Sequence, residues 1–328
     1  MSKVSWLHLS DMHISAKGTF DQKLIHEAFI NDLADQLNNQ NIMLDFIFFT
    51  GDVTLTASNE DYKFALTFFE RLCKRIGFDK KNLFIVPGNH DVNRYQVSKV
   101  LDDNRRKLET REDIRGIFDN EELLDRYLAR FDNYSQFVSE LYGISFRMNS
   151  ENYYFAEKRT VSNLDFGIIG LNSAWASYGG RNDCNNIYVS EVQLKEAMDK
   201  VDCTSIKIVL LHHPLAWLYE EDRTDIENLF YQNCNIILHG HLHRPDFQIA
   251  NSFKGQLVTI PAGAIFTGRR VSNCYNYVTM DLSTNRIRIT PRRYYEGPRR
   301  FLADIESLGS DGISFFELGI PQSIICKK

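Results

Sequence analysis

Short apolar runs alternate with helical stripes along the first ninety residues. Three runs, at 4–10, 44–49 and 83–86, are almost continuously apolar, which is typical of strands buried on both faces. Between them, residues 25–37 and 62–76 place apolar side chains at three- and four-residue steps, the period of an amphipathic helix. The order β-α-β-α-β predicts a parallel sheet covered by helices on both faces.

The next fifty residues interrupt this alternation. They are dense in charges of both signs, and then place apolar residues at 4-3-4-3 spacing from Tyr127 to Leu141, before Gly143. The pattern predicts a helical insertion over about residues 94–143, docked by one face. Because it follows the polar loop at 88–91 directly, it is a candidate cap for a site there. The alternative is that its charges simply form a solvated face.

Strand patterns return after the insertion, with a helix opened by a capping-box match at Ser190 and Gln193. No repeat or Gly/Ser-rich linker divides the chain, so we predict one domain over residues 1–328 with its core at about 4–290; the segment 291–328 receives no assignment. The strands predicted after the insertion are 144–149, 152–157, 164–171, 206–211, 235–238, 247–250, 256–260, 276–282 and 285–290.

The bulk composition is that of an ordinary soluble protein. The 328 residues are 43% hydrophobic and 25% charged, and the net charge of −5 gives no overall reason to expect nucleic acid or an anionic membrane as partner. No apolar run approaches the ~20 residues of a membrane span, and the N-terminus lacks a signal-peptide pattern. The six cysteines form no Cys-x-x-Cys pair and are predicted to be reduced. These features predict a cytoplasmic protein.

Polar side chains follow the predicted strands at their carboxyl ends, where open parallel sheets place their ligand sites. In extended backbone, Asp11 and His13 are expected to face one way and Met12 the core. One such histidine alone would more often be a core residue, but the joint occurrence favours a metal site. The full set is Asp11, His13, Asp52, Asn89, His90, His212, His241 and His243.

Imidazole nitrogens with carboxylate and amide oxygens suit Zn, Mn or Fe(II), and the lack of thiolates argues against a structural zinc site. Eight such groups exceed the needs of one ion. Two divalent ions ~3.5–4 Å apart, bridged by one carboxylate, use all but one of them. With a bridging hydroxide, the centre has a net charge of about +1, which suits a phosphate oxyanion.

These residues resemble, in order and approximate spacing, the five motifs of calcineurin-like metallophosphoesterases. The resemblance covers about residues 4–290 and implies an α/β fold, a four-layer αββα sandwich of two facing mixed sheets flanked by helices. It also implies two divalent transition-metal ions (Mn, Fe or Zn, with Mn favoured for activity in vitro) at the edge of the sheets. The matching motifs are Asp11-x-His13, Gly51-Asp52, Gly88-Asn89-His90-Asp91, His212 and Gly240-His241-x-His243.

The resemblance also implies a role for each residue. In this family the ligand is the histidine two before the proline, which is His212 rather than His213. His90 is implied to be the catalytic histidine, a general acid for the leaving group, with Asp91 as its orienting partner. The first ion is implied to be held by Asp11, His13, Asp52 and His243, and the second by Asp52, Asn89, His212 and His241.

Two departures argue against a Ser/Thr protein phosphatase: Val53-Thr54 follow Asp52 where those enzymes continue to Asp-Arg-Gly, and Asp91 stands where they have Glu. The motifs are most similar to bacterial phosphodiesterases of the cyclic-nucleotide type. The predicted activity is therefore hydrolysis of a nucleotide-type phosphodiester, with a metal-bridging hydroxide as nucleophile. A DNA or RNA nuclease of the double-strand-break-repair type is the alternative, and a non-catalytic scaffold with a retained metal site comes last.

One local feature favours nucleic acid. Residues 286–300 hold six arginines and two tyrosines against one acid, a mixture that suits phosphate contact with base stacking. The competing interpretation is an exposed edge strand on which arginines guard against aggregation. Arg94, Arg269 and Arg270 are further candidates for binding the substrate phosphate.

Overall fold

The computed structural model describes residues 3–40, 43–94, 105, 107–178, 183–243, 248–252, 255–268, 272–308 and 312–318. In these residues, two mixed β-sheets face each other. The first sheet has the order β12-β11-β10-β1-β2-β3, and β13 also pairs with β11. Its strands are β1 (Lys3–Leu9), β2 (Phe46–Thr50), β3 (Leu83–Val86), β10 (Cys274–Asp281), β11 (Arg286–Tyr295), β12 (Arg300–Ala303) and β13 (Ser314–Glu317).

The second sheet has the order β4-β5-β6-β7-β9-β8. Its inner strands β5, β6, β7 and β9 are parallel, whereas β4 and β8 are antiparallel to their neighbours. The strands are β4 (Phe155–Val161), β5 (Leu164–Gly170), β6 (Ile206–Leu210), β7 (Ile236–His239), β8 (Gln248–Ser252) and β9 (Gly255–Pro261).

Helices cover the outer face of each sheet. A buried apolar layer between the sheets includes Trp6, Phe48 and Phe166, and two further apolar clusters pack the helices onto the outer faces. This arrangement confirms the four-layer α/β sandwich. The helices are α1 (Phe20–Gln40), α2 (Asn59–Ile76), α3 (Arg111–Phe118), α4 (Glu121–Leu128), α5 (Asp132–Tyr142), α6 (Glu191–Lys200), α7 (Glu220–Asn233) and α8 (Ile305–Leu308). None of the helices described is both long and apolar enough to cross a membrane.

The parallel strands β1, β2 and β3 bring three polar loops together. Leu9 pairs with Phe49, and Phe49 pairs with Ile85, so the three strands end at the same height. Their carboxyl ends lead into the loops that carry Asp11, Asp52 and Asn89. Parallel pairing therefore places residues from three distant parts of the chain side by side.

The predicted insertion contains α3, α4 and α5, and α5 ends at Gly143 in left-handed backbone with φ 68°. Two tyrosines of α5 reach β3, the outermost strand of the first sheet. Tyr142 donates its hydroxyl hydrogen to the carbonyl oxygen of Leu83 at 2.8 Å, and Tyr134 donates to that of Ile85 at 3.0 Å. The insertion thus covers the free edge of β3.

A buried arginine joins the insertion to the second sheet. Arg130 follows α4 and donates to the carbonyl oxygens of Trp175 and Ser177, in the loop after β5. Its own carbonyl oxygen accepts from the backbone N–H of Asn93 at 2.9 Å. The helices are therefore docked by both polar and apolar contacts, on one side of the polar loops.

One strand predicted after the insertion is wrong, and another is displaced. Residues 144–149 are not a strand, and the strand predicted at 152–157 begins three residues later as β4 (Phe155–Val161). The backbone N–H groups of Phe146 and Met148 donate to the hydroxyls of Ser139 and Ser135 at 3.0 and 2.9 Å. The alternating apolar pattern here follows the side of α5 rather than a neighbouring strand.

The predicted capping box is also incomplete. Ser190 does cap α6, since its hydroxyl accepts from the N–H of Val192 at 3.3 Å. The amide of Gln193, however, accepts from the N–H of Asn172 at 2.6 Å and donates to the carbonyl of Val189 at 2.7 Å. Gln193 therefore fastens the loop after β5 instead of closing the box.

The strand that holds most of the arginine-rich stretch, β11, is not an edge strand, although Arg300 begins β12 at the end of the sheet order. β11 pairs with β10 on one side and with β12 and β13 on the other. Arg292 forms a buried two-point pair with Asp32, with both N···O distances at 2.6 Å. Arg293 pairs with Glu306 at 2.5 Å. The other four arginines of the stretch, Arg286, Arg288, Arg299 and Arg300, are exposed, so nucleic-acid binding there stays a prediction.

Candidate metal centre

Loops from both sheets meet at one edge of the sandwich. Asp11 and His13 follow β1, Asp52 follows β2, and Asn89 lies in the 3-10 turn after β3. From the second sheet, His212 follows β6, and His241 and His243 follow β7. Backbone hydrogen bonds tie the loops together, including Asp11 N–H to Gly51 O and Gly240 N–H to His212 O, both at 3.0 Å.

The backbone that presents these side chains is not extended, contrary to the expectation for Asp11 and His13. Both residues lie in the left-handed region, with φ of 53° and 46°. Left-handed residues other than glycine are uncommon, and they concentrate at functional sites. Met12 is fully buried, as expected. The side chains of Asp11 and His13 do meet, with Nε2 of His13 3.7 Å from Oδ1 of Asp11, but from left-handed rather than extended backbone. Other candidate ligands in this region of φ are Asp52 (57°), His241 (71°) and His243 (56°).

Two glycines allow the loops to approach closely. A Cβ atom on Gly240 would lie 1.9 Å from Oγ of Ser10, and one on Gly88 would lie 2.2 Å from Oδ1 of Asp52. Any larger residue would therefore push apart loops that carry the polar side chains. The Gly-Asn and Gly-His parts of the sequence motifs thus have a steric basis.

The first cluster of ligand-type atoms surrounds Asp11. Its Oδ1 lies 3.0 Å from Nε2 of His243 and 3.7 Å from Nε2 of His13. Nε2 of His13 is also 3.9 Å from Oδ2 of Asp52. The other oxygen of Asp11 accepts from the backbone N–H of His241 at 3.0 Å, which fixes the orientation of the carboxylate.

The second cluster surrounds Nε2 of His212. This nitrogen lies 3.3 Å from Oδ2 of Asp52, 3.1 Å from Oδ1 of Asn89 and 3.2 Å from Nδ1 of His241. Carboxylate and amide oxygens are acceptors, so this grouping calls for a positive charge between them. Oδ2 of Asp52 faces both clusters, while its Oδ1 accepts from the backbone N–H of His90 at 2.7 Å.

Neighbouring groups set which nitrogen of His212 and His213 is protonated. Nδ1 of His212 contacts the carbonyl oxygen of Thr50 at 2.7 Å, so in the neutral ring Nδ1 carries the hydrogen and Nε2 is the nitrogen available as a ligand. Oγ of Ser173 accepts from the backbone N–H groups of both histidines, which leaves its own hydrogen for Nδ1 of His213 at 3.0 Å. Neutral His213 then has its proton on Nε2. This geometry favours His212 over His213 as a ligand.

Opposite charges dominate the electrostatics of the centre. Burial pulls the pKa of His212 down, but the carboxylates of Asp52 and Asp11 outweigh it and raise that pKa to about 9. Burial also acts to raise the pKa of Asp52, yet the nearby His212 holds it well below its usual range. The site therefore stabilises positive charge between its two carboxylates, as a metal centre requires.

His90 lies beside the clusters, with a ligand-type nitrogen within 4.8 Å of such atoms of His13 and Asp52. Its Nδ1 contacts the carbonyl oxygen of Leu55 at 2.8 Å, so Nδ1 carries the hydrogen and Nε2 is the nitrogen left for chemistry. Leu55, rather than Asp91, therefore orients the ring. No sequence pattern marks a backbone carbonyl as such a partner.

The expected pairing of Asp91 with His90 is wrong. Asp91 is fully buried, and its carboxylate accepts hydrogen bonds from the two loops that hold Asp52 and Asn89. The donors are the backbone N–H groups of Val53 (3.1 Å), Thr54 (3.1 Å) and Gly88 (3.0 Å) and the hydroxyls of Thr54 (3.4 Å) and Tyr62 (3.0 Å).

A model of the calcineurin-like phosphoesterase family matches residues 5–245, about three quarters of the chain. The chain belongs to the calcineurin-like phosphoesterase family. The matched range contains all the motifs that carried the resemblance, and the predicted enzyme class, a hydrolase of phosphoric esters, agrees with it.

Two curated proteins are similar to this chain in sequence. The chain is 23% identical over 303 residues to an uncharacterized metallophosphoesterase-like protein, YydB, of Bacillus subtilis, covering 88% of this chain and 59% of the relative. It is 26% identical over 255 residues to a probable glycerophosphodiester phosphodiesterase, GpdQ, of Arcobacter nitrofigilis, covering 73% of this chain and 71% of the relative. The chain thus spans little more than half the length of the Bacillus protein.

A solved structure shares the fold. Purple acid phosphatase PPD1 from yellow lupin aligns with a TM-score of 0.50 at 11% identity, over 96% of this chain and 54% of that one. At this identity the likeness concerns the fold alone. It agrees with the two facing sheets described above.

The structure places none of the three predicted phosphate-binding arginines in contact with the metal-ligand clusters of this phosphoesterase, as far as its described residues go. Arg94 is exposed four residues after His90, and Arg269 and Arg270 lie outside the described residues. Sequence reasoning missed Trp217, which follows the His-His-Pro motif in a 3-10 turn and contacts the ring of His241. The signal that could have found Trp217 is that it lies only five residues after His212, in a turn that begins at Pro214.

Proposed function

We propose that this phosphoesterase is a metal-dependent phosphodiesterase that hydrolyses a nucleotide-type phosphodiester at a centre of two divalent ions. The observation that carries the proposal is the convergence of buried carboxylate, amide and imidazole ligand atoms into two clusters that share Asp52. The proposed ligands of the first ion are Asp11, His13, Asp52 and His243, and those of the second are Asp52, Asn89, His212 and His241.

When bound, the two ions would supply Lewis acidity that polarises phosphoryl oxygens and lowers the pKa of water. The chain itself provides the proton for the leaving group. With Nδ1–H held by the Leu55 carbonyl, protonated His90 can donate from Nε2 to a departing alkoxide. Asp91 acts on this step indirectly, because it positions the loops of Asp52 and Asn89.

Two observations support a small phosphodiester as substrate. The Arcobacter relative carries the name of a phosphodiesterase, and the motif pattern is most similar to nucleotide phosphodiesterases. The alternative of a nuclease rests on residues 286–300, in which two of the six arginines, Arg292 and Arg293, pair with Asp32 and Glu306. We therefore rank a nuclease below a small-molecule phosphodiesterase.

The metal assignment is tested with Asp52→Ala, because loss of the shared carboxylate disturbs both clusters. We expect elemental analysis to give two equivalents of metal in the parent protein and a clear loss in the variant, together with loss of diester hydrolysis. The matched control, Asp202→Ala, removes an exposed carboxylate from a surface turn. Asp52→Ala protein with full metal content and a tenth of the normal turnover would contradict the assignment.

The role of His90 is tested through the leaving group. A nitrophenolate leaves without a proton, whereas a sugar alkoxide needs one, and such a general acid contributes typically ~10²–10⁴-fold. We expect His90→Asn to retain its metal, to lose most of its kcat on nucleotide esters and to slow far less on a nitrophenyl ester. Equal loss on both substrates would show that His90 is not the general acid.

Three further points stay predictions from the sequence. They are a single domain over residues 1–328, a cytoplasmic location and a preference for Mn in vitro. Purification with Mn, Fe and Zn offered in parallel, followed by activity measurements, addresses the last of them.

A further inference from the structure

An aromatic side chain lies directly beside the metal centre. The ring centroid of Trp217 is 4.2 Å from that of His241, and the two ring planes are inclined by 77°. Trp217 is partly exposed, whereas Trp6 and Trp175, the other two tryptophans, are 0% and 1% exposed. Part of a large apolar ring is therefore exposed next to an otherwise polar site.

The main chain holds Trp217 in place. Residues 215–217 form a 3-10 turn in which the N–H of Trp217 donates to the carbonyl oxygen of Pro214 at 2.9 Å. Two further hydrogen bonds join Trp217 and Tyr219 to Ile187: Ile187 N–H to Trp217 O at 3.4 Å, and Tyr219 N–H to Ile187 O at 2.8 Å. A ring on such a fixed backbone loses little conformational entropy when a ligand packs on it.

We propose that Trp217 is a specificity-determining residue, which stacks the nucleobase, or another aromatic group, on the part of the diester that is retained after hydrolysis. The inference rests on the proposed function and deepens it by naming the substrate class. A phosphodiester has two ester groups. Because Trp217 contacts His241, a proposed ligand in the second cluster, a group on the ester retained there lies within reach of the Trp217 ring. A base stacked on an aromatic side chain typically gains about 5- to 150-fold in binding.

The competing explanation is that Trp217 only positions the ring of His241. The two roles differ in what they predict for substrates. A positioning role affects every diester through the metal centre, whereas a stacking role affects only diesters with an aromatic group to stack.

The experiment uses two diesters with the same leaving group, 4-nitrophenolate: the 4-nitrophenyl ester of thymidine 5′-phosphate and ethyl 4-nitrophenyl phosphate. For Trp217→Leu we expect kcat/KM to fall about tenfold or more on the thymidine ester, mainly through KM, and to change less than threefold on the ethyl ester. Trp217→Phe keeps an aromatic face and should retain most of the preference. Phe64→Leu, which removes an exposed aromatic ring of α2, is the matched control.

Equal losses on both diesters for Trp217→Leu, or no loss on either, would overturn the proposal. Metal content is measured on each variant, and metal loss confined to Trp217→Leu would instead indicate the positioning role.

A binding measurement separates this proposal from the proposed function. Because Trp217 is the partly exposed tryptophan, thymidine 5′-phosphate should quench the fluorescence of the Mn-loaded protein, and ethyl phosphate should not. The quenching should vanish in Trp217→Phe, in which only the two buried tryptophans remain. If the parent protein hydrolyses neither diester, the proposed activity fails, and the quenching result alone decides whether Trp217 binds a base. Equal quenching by both phosphates, or none by either, would refute stacking.

Discussion

Replacing Asp91 with alanine is expected to loosen the metal centre through its supporting loops, not to disable His90 directly. The carboxylate of Asp91 accepts five hydrogen bonds, three of them from backbone N–H groups of Val53, Thr54 and Gly88. Asp91 is 0% exposed, so these three donors would be left buried and unpaired. Each unsatisfied donor costs about 1–3 kcal/mol, and relaxation of the loops brings the total to about 3–5 kcal/mol.

The assay is urea unfolding of Asp91→Ala and the parent protein at pH 7, combined with metal titration. We expect a lower midpoint with a similar slope, and weaker metal binding, because Asp52 and Asn89 lie in the loops that Asp91 joins. A variant with the parent's unfolding free energy and full metal content, but reduced kcat, would refute this reasoning. It would show that Asp91 serves His90 after all.

Three further substitutions test other parts of the structure. Arg292→Met leaves the Asp32 carboxylate buried without its cation, so we expect the free energy of unfolding in urea to fall by about 3–5 kcal/mol. Adding Asp32→Asn should restore most of it, and an Arg292→Met protein as stable as the parent would contradict this. Gly88→Ala should weaken metal binding, because the new methyl group would lie 2.2 Å from Oδ1 of Asp52. Gly116→Ala, with open space around its Cβ, should not, and equal metal affinity in the two variants would contradict the steric role. Burial raises the pKa of Asp222 from 3.8 to about 6, so its stabilising contribution is complete below pH 3.8 and disappears as the pH rises through 6. The difference in unfolding free energy between the parent and Asp222→Asn should therefore decline by about 2.5 kcal/mol between pH 4 and 8, and parallel stability profiles would refute it.

Sequence patterns located the centre because it is built from strand ends. Asp11, Asp52 and Asn89 each follow a short apolar run, and parallel pairing alone is enough to bring them to one edge. The histidines from the second sheet could be assigned to the same site by their motifs, although their spacing says nothing of how two sheets face each other. Periodicity thus predicted which residues meet, but not the left-handed backbone that presents them.

The errors came from contacts that a linear pattern does not encode. The alternating apolar residues at 144–149 lie along α5. Their backbone N–H groups, at Phe146 and Met148, donate to the hydroxyls of Ser139 and Ser135 and not to a neighbouring strand. Asp91 is adjacent to His90 in sequence, yet its hydrogen bonds point to loops nearly forty residues earlier. A partner such as the Leu55 carbonyl has no side-chain signal at all.

The two tyrosines that α5 places on β3 have a consequence for how this chain can change over time. The carbonyl groups of Leu83 and Ile85 would otherwise face water on an outer strand, ready to template another chain. Shortening the insertion without altering β3 would uncover them beside Phe84. A shortened insertion would therefore need a compensating change in β3, such as a charged side chain, to keep this edge from pairing with another chain.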